Sequence, residues 1–248
     1  MKSPNWPDLK FPLLICGAHL TSALFLRGCM SLPIADVSVE YISHMGNDTN
    51  VVNAARVSFA KEVQEFSDKD AGLLAYLAKH NHWSPFAHTC ISVRCKVPIF
   101  LARQLVKHQV GGNWNEESRR YIDGPVEFYI PDVLHSKPDN AKQGAGGVHY
   151  NSSFNIQCLQ RATVAAYDEY AALLADGVAP EEARMVLPLN SMTNFIWTGS
   201  LLFFDRVITQ RIDGHAQLIA QDFAKKLRSV VQPLYPHSYT ALEKARGN

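Results

Sequence analysis

The spacing of apolar positions changes several times along the chain, and each change marks an element. From Val37, VSVEYISH alternates as a short strand does. After NDTN, VVNAARVSF (51–59) has apolar spacing that suits a helix entered through an Asp or Thr cap. DAGLLAYLAKH (70–80) predicts a second amphipathic helix, stopping at the His-Asn-His-Trp-Ser-Pro cluster. HTCISVRCKVPIF (88–100) alternates as a strand, with Pro98 placing a bend or a sheet edge near its end. The helical period returns in FLARQLVKHQV (100–110), with Phe100, Leu101, Leu105 and Val106 facing inward.

Farther on, VEFYIPDV (126–133) predicts a strand and SKPDNAKQGAGGVHYNSS (136–153) a polar, Gly-rich loop. FNIQCLQRATVAAYDEYAALLADG (154–177) is a long helix closed by Gly177. Pro180, Glu181 and Glu182 suit the first turn of another helix, since proline loses no needed donor there and acids favour the positive helix end. Pro188 ends it. TNFIWTG (193–199) predicts a strand, followed by helices over 200–212 and 215–231 and a stop at PLYP. No internal repeat or low-complexity segment interrupts the chain. Helices and strands mix within one compositional block, which predicts a single α+β domain.

At 248 residues and 47% hydrophobic content the chain can bury one sizeable core. The net charge of +1 gives no long-range field for gathering nucleic acid, so an anionic partner must be held by local charge, and small anions fit better than polymers. Five scattered cysteines (Cys16, Cys29, Cys90, Cys95, Cys158) with no C-x-x-C argue against a disulfide framework and a zinc site. They favour a reducing, cytoplasmic setting, with Cys90 and Cys95 as buried thiols. FPLLICGAHLTSALFLRGC (11–29) is apolar, but its weak positive flanks and Arg27 fit a signal peptide poorly. Residues 1–33 are therefore expected to be an extension ahead of a domain over 34–248, with Met30 a candidate start codon. No later run is long and apolar enough to cross a membrane.

Candidate chemistry concentrates in RQLVKHQVGGNWNEESRRY (103–121). Helical spacing places Arg103 with Lys107 on one face and Gln104 with His108 on the adjoining one, ahead of a Gly-Gly where the chain can come close to a ligand. Such a surface can grip a phosphate and hydrogen-bond a heterocycle. The plainer reading is a solvated helix end in which Glu116 and Glu117 neutralise Arg119 and Arg120. A second stretch, EEARMVLPLNSMTNFIWTGSLLFFDRVITQRIDGHAQ, sets Arg184, Arg206 and Arg211 in apolar surroundings, where an unpaired arginine is costly to bury. Together these clusters point to an anionic small molecule. HNHWSPFAH (80–88) has no standard metal spacing and favours either a cap over an aromatic ligand or core packing by Trp83 and Phe86, with no metal expected. GxGxxG, P-loop, GxSxG and Pro-Cys segments are all missing, so a redox or transfer reaction here needs a bound organic cofactor.

Four ordered segments, NAARVSF, HWSPFAH with the following strand and ARQ, KHQVGGNWNEESRRY, and ARMVLPLN to WTGS to RIDGHAQ, resemble the flavin-dependent thymidylate synthases from about Val37 to Tyr235. The resemblance implies a homotetramer of single-domain α+β subunits, each a β-sheet flanked by helices, with active sites between subunits. It implies conversion of dUMP to dTMP with methylenetetrahydrofolate as carbon donor and FAD, reduced by NADPH, as hydride carrier. Electrons from flavin make a cysteine nucleophile unnecessary.

The family signature is Arg-His-Arg, seven residues, then Ser. Here Lys107-His108-Gln109 precedes eight residues and Ser118, exchanging two planar guanidinium groups for an ammonium and an amide. By resemblance, Ser58, His82, Ser84, Lys107, His108, Gln109, Arg206 and Gln210 match flavin-contacting positions. Ala87 and Ser200 depart from a common Glu and a common Asn. Arg103, Gln104, Glu116, Ser118, Arg120, Arg184 and Arg211 match dUMP-contacting positions. Arg211 is the catalytic candidate, polarising the uracil as C5 becomes nucleophilic. Arg120 and Arg184 take the phosphate, for which forked donors are apt. Ser118 has no nearby general base and is a hydrogen-bond donor. Glu116 stays open between balancing an arginine and receiving a ribose hydroxyl. The alternatives are a nucleotide-binding module that lost the flavin, or another flavin-dependent nucleotide-modifying enzyme.

Overall fold

A computed structural model describes residues 32–122, 124–138 and 144–247. The readings of residues 1–31, and of 139–143 within the polar loop, lie outside them. The alternation in HTCISVRCKVPIF becomes a strand over Cys90–Pro98, with Ile91, Val93, Cys95 and Val97 buried and Ser92, Arg94 and Lys96 on the other face. Met192–Gly199 repeats the pattern, burying Thr193, Phe195 and Trp197. Numbered along the chain, the strands are β1 (Ser38–Met45), β2 (Cys90–Pro98), β3 (Gly112–Glu116) and β4 (Met192–Gly199), in one antiparallel sheet of order β1-β2-β4-β3.

The helices are α1 (Asp48–Arg56), α2 (Asp68–Lys79), α3 (Ile99–Leu105), α4 (Ser152–Ala175), α5 (Pro180–Ala183), α6 (Leu201–Ile212), α7 (Leu218–Val231) and α8 (Pro236–Ala245). One apolar core joins the inward face of the sheet to Val51, Leu74, Leu101, Phe204, Phe223 and Tyr239 from six of these helices. Full burial of a side chain such as Phe204 contributes roughly 1.5–3 kcal/mol before chain entropy is subtracted. A smaller core packs Tyr170 of α4 against Val126, Phe128 and Ala183.

The expected α+β class and the sheet flanked by helices are present, but several boundaries differ for local reasons. Pro98 lies in an interior strand, tolerated as its last residue because the chain leaves the ladder there and starts α3. The cap of α1 is Asn47 rather than Asp48 or Thr49, and Asn50 returns the bond to the Asn47 amide at 2.9 Å. VEFYIPDV forms only bridges, from Phe128 to Ile34 and to Ser191, because Val126 and Phe128 are drawn into the smaller core and Pro131 lacks a ladder donor. The helix begun at Pro180 lasts one turn before a tighter turn over Arg184–Val186.

Two differences shape the site. The helical period predicted to Val110 stops at Leu105, and GNWNE then pairs with β4 as β3. Gly111 makes the turn with φ +86°, a left-handed conformation that favours glycine. Gly112 sits opposite Gly199, and the Phe203 ring fills the space over both. A Cβ at Gly112 lies 2.3 Å from Phe203 Cζ, and one at Gly199 lies 2.2 Å from Phe203 Cδ1. The Gly-Gly pair thus admits a turn and an aromatic ring of α6.

The second difference is α8, which follows the expected stop at PLYP. Pro236 fits its first turn, and Asp48 accepts from His237 N at 3.0 Å and from Ser238 N at 2.8 Å. The cap comes from the far end of the domain.

Candidate active site

Beyond α3 the chain turns at Val106, and His108 N donates to Leu105 O at 3.0 Å. Arg103, Lys107 and Gln109 are exposed, while Gln104 and His108 are half-buried. The two sides anticipated from helical spacing therefore hold, although Lys107 and His108 lie past the helix end. From α6, Arg211 Nε donates to His108 Nε2 at 2.9 Å. The imidazole edge meets buried Trp197 at a centroid distance of 6.4 Å and an angle of 60°. Burial, reinforced by the Arg211 charge, pushes the His108 pKa down to about 4. The ring is thus neutral at physiological pH, with Nε2 accepting and the proton on Nδ1. Burial also lowers the pKa of Arg211.

This pair stands beside an open cavity of about 820 Å³, lined by Gln104, Gln210 and Arg211 with Lys137, Asp213 and His215. Gln104 Oε1 is buried without a hydrogen-bond partner among the described residues. A buried carbonyl left in that state costs free energy until it gains a donor. Cation, amide and imidazole groups around one opening suit a small anionic heterocycle. Lys137, Asp213 and His215 were not singled out from the sequence. The signal for Asp213 and His215 is their place in RIDGHAQ, close behind Arg211.

The other expected flavin positions are polar and exposed. Ser58 lies in a tight turn after α1, His82 and Ser84 lie just after α2, and Arg206 and Gln210 are four apart on the exposed side of α6. The side chains of Ser58, His82, Ser84, Lys107, Gln109, Arg206 and Gln210 make no hydrogen bond among the described residues. Their neighbours are tied into the fold. Asn53 exchanges two bonds of 2.9 Å with the backbone of Val63, and Arg56 pairs with Asp70. Of the two aromatics in HNHWSPFAH, Phe86 is in the core, whereas Trp83 is 51% exposed.

The expected phosphate and ribose positions form a separate group. Glu116 accepts from Thr193 Oγ1 at 2.8 Å and Trp114 Nε1 at 3.1 Å, and Glu117 accepts from Asn194 at 2.9 Å. Arg119 donates to the carbonyls of Gly124 and Pro125 at 2.7 and 3.0 Å. The plainer reading of glutamates neutralising arginines is therefore overturned. Arg120 Nε donates to Ser118 Oγ at 3.2 Å and its guanidinium rests 4.9 Å from the Tyr121 ring. Ser118 Oγ is the acceptor in that bond, so its hydroxyl proton is still available to donate. Arg184 and Arg206 are exposed, so the cost of burial expected from their apolar neighbours does not arise, and of the three only Arg211 is half-buried. Glu116, Ser118, Arg120 and Arg184 do not line the cavity.

The sequence model of the family described as thymidylate synthase complementing protein matches residues 40–237. A flavin-dependent thymidylate synthase of Thermotoga neapolitana is 36% identical over 216 residues, covering 87% of this chain and 95% of its own. The chain belongs to this family. A flavin-dependent thymidylate synthase of Thermus thermophilus is 34% identical over 88% of this chain and 80% of its own. Among solved structures, the UMP/dUMP methylase PolB of Streptomyces cacaoi, bound with 5-Br dUMP, superposes with a TM-score of 0.77. It is 29% identical over 86% of this chain and 97% of its own. The family match includes every element that carries the residues described above, from Ser58 to His215.

Proposed function

We propose that this protein is a FAD-dependent thymidylate synthase, carrying out reductive methylation of dUMP to dTMP with methylenetetrahydrofolate as carbon donor and NADPH as reductant. The observation that carries this reading is Arg211, half-buried at the cavity, donating to His108 and sharing the cavity lining with Gln104. Arg211 is the group assigned to the uracil. A guanidinium held at a ring carbonyl or nitrogen stabilises the negative charge that develops as C5 becomes nucleophilic.

The residues present fit a flavin. Ser58, His82, Ser84, Lys107, His108, Gln109, Arg206 and Gln210 would hold it; all but His108 have uncommitted side chains able to meet its polar edges, and Lys107 and Arg206 suit its diphosphate. When bound, FAD supplies the hydride that completes the methyl group, replenished from NADPH. Arg120 and Arg184 hold the nucleotide phosphate, Ser118 donates to it, and Arg103, Gln104 and Glu116 complete the nucleotide contacts. Cys95 is buried, and burial pushes its thiol pKa up, which suits a reaction that needs no thiolate. The free Cys90, Cys95 and Cys158 suit a reducing, cytoplasmic setting.

This reading includes a homotetramer in which one subunit supplies the cavity around Arg211 and another supplies Glu116, Ser118 and Arg120. Support comes from the absence of these three residues from the cavity lining. The visible spectrum of the purified protein tests the flavin directly. Flavin absorbance, retained or restored by added FAD and altered by dUMP, is expected. Protein that takes up no FAD overturns the reading and favours a nucleotide-binding module.

A second reading, methylation of UMP, is supported by the likeness to PolB, also solved with 5-Br UMP at a TM-score of 0.76. Parallel assays with UMP and dUMP separate the two.

A further inference from the structure

We propose that His108 is the positioning residue for Arg211: its unprotonated Nε2 takes the Arg211 Nε hydrogen and leaves both Nη groups for the nucleotide. The inference deepens the synthase reading and rests on it for the identity of the ligand. Its geometric basis is independent. The histidine is held by its backbone bond to Leu105, by the edge contact with Trp197, and by Arg211 itself. Trp197 is in turn fixed among Trp114, Phe203 and Phe204, whose rings lie 5.2–5.8 Å from it. The side chain of Arg211 makes no other hydrogen bond among the described residues.

The choice of a neutral imidazole has a physical consequence. A carboxylate in this place would orient the guanidinium and also cancel the charge that must act on the uracil. A neutral acceptor orients it while leaving that charge available. Arginine loses considerable rotamer freedom when ordered, so fixing its Nε before the ligand arrives removes part of that cost from binding. The charge acting on the histidine is that of Arg211, and the depressed basicity of His108 keeps Nε2 free to accept.

Two measurements test the pair. In protein labelled with 15N-histidine, the imidazole spectrum at pH 6 is expected to show His108 neutral and protonated on Nδ1. A cationic ring or an Nε2–H tautomer overturns the inference even if dTMP is made. The second is a double-mutant cycle at saturating FAD, read in both dUMP dissociation constant and kcat. Arg211→Lys alone is expected to cost about 10² in rate, but about tenfold or less in a His108→Ala background. His108→Gln, which keeps an acceptor at similar reach, should recover most of the loss. Additive effects with no recovery by Gln overturn the positioning role. If the tautomer is as expected but the wild-type protein binds no dUMP, the synthase reading fails while the pair stands, so the two failures are distinguishable.

Discussion

At Arg211, half-burial raises the cost of the charge while His108 gives it an uncharged partner. Replacing Arg211 by Lys removes the planar fork but keeps the charge, and should lower turnover by about 10² or more in steady-state assay. His108 also predicts a pH dependence. Its folded pKa of about 4 lies below the ordinary 6.5, so the unfolded chain binds the additional proton first as pH falls. Its contribution to stability is therefore intact above about 6.5 and lost progressively towards pH 4. Urea denaturation of wild type and His108→Phe between pH 4 and 7 should show a shallower fall in the variant over that window. The residue types at these positions were legible in the sequence, since RQLVKHQ and RIDGHAQ both stood out. Their pairing was not, because 103 positions separate His108 from Arg211 and the tertiary fold brings the last turn of α6 to the turn after α3.

Among the elements, β3 depends on two glycines facing each other beneath Phe203. Gly199→Ala should destabilise the protein by about 1–3 kcal/mol through overpacking, and Phe203→Leu in the same chain should recover part of it. Additive thermal shifts in the double variant would contradict the proposed clash. At the other end of the core, Asp48 receives both backbone bonds at the start of α8, and Asp48→Ala should cost about 2 kcal/mol in denaturant unfolding. The strands β2 and β4 were readable because alternate residues face one core. The short β3 was hidden because one Trp stands among Gly, Asn and Glu, and its strand conformation is imposed by pairing with β4. A cap nearly the length of the domain away likewise left no local mark before α8.

For the whole molecule, the four ordered segments fall on one α+β domain of the thymidylate synthase complementing family. The proposed site is split within each chain, with Gln104, Gln210 and Arg211 at the cavity and Glu116, Ser118 and Arg120 elsewhere. Assembly should therefore accompany activity, and sedimentation of the FAD-loaded protein is expected to give a tetramer. An active monomer would contradict the shared site. Chromatographic detection of dTMP from dUMP with methylenetetrahydrofolate, NADPH and FAD, and with each omitted in turn, tests thymidylate synthesis most directly. dTMP is expected in the complete mixture, and none when NADPH or the folate is withheld. Protein that binds both FAD and dUMP yet forms no dTMP in the complete mixture would contradict this activity.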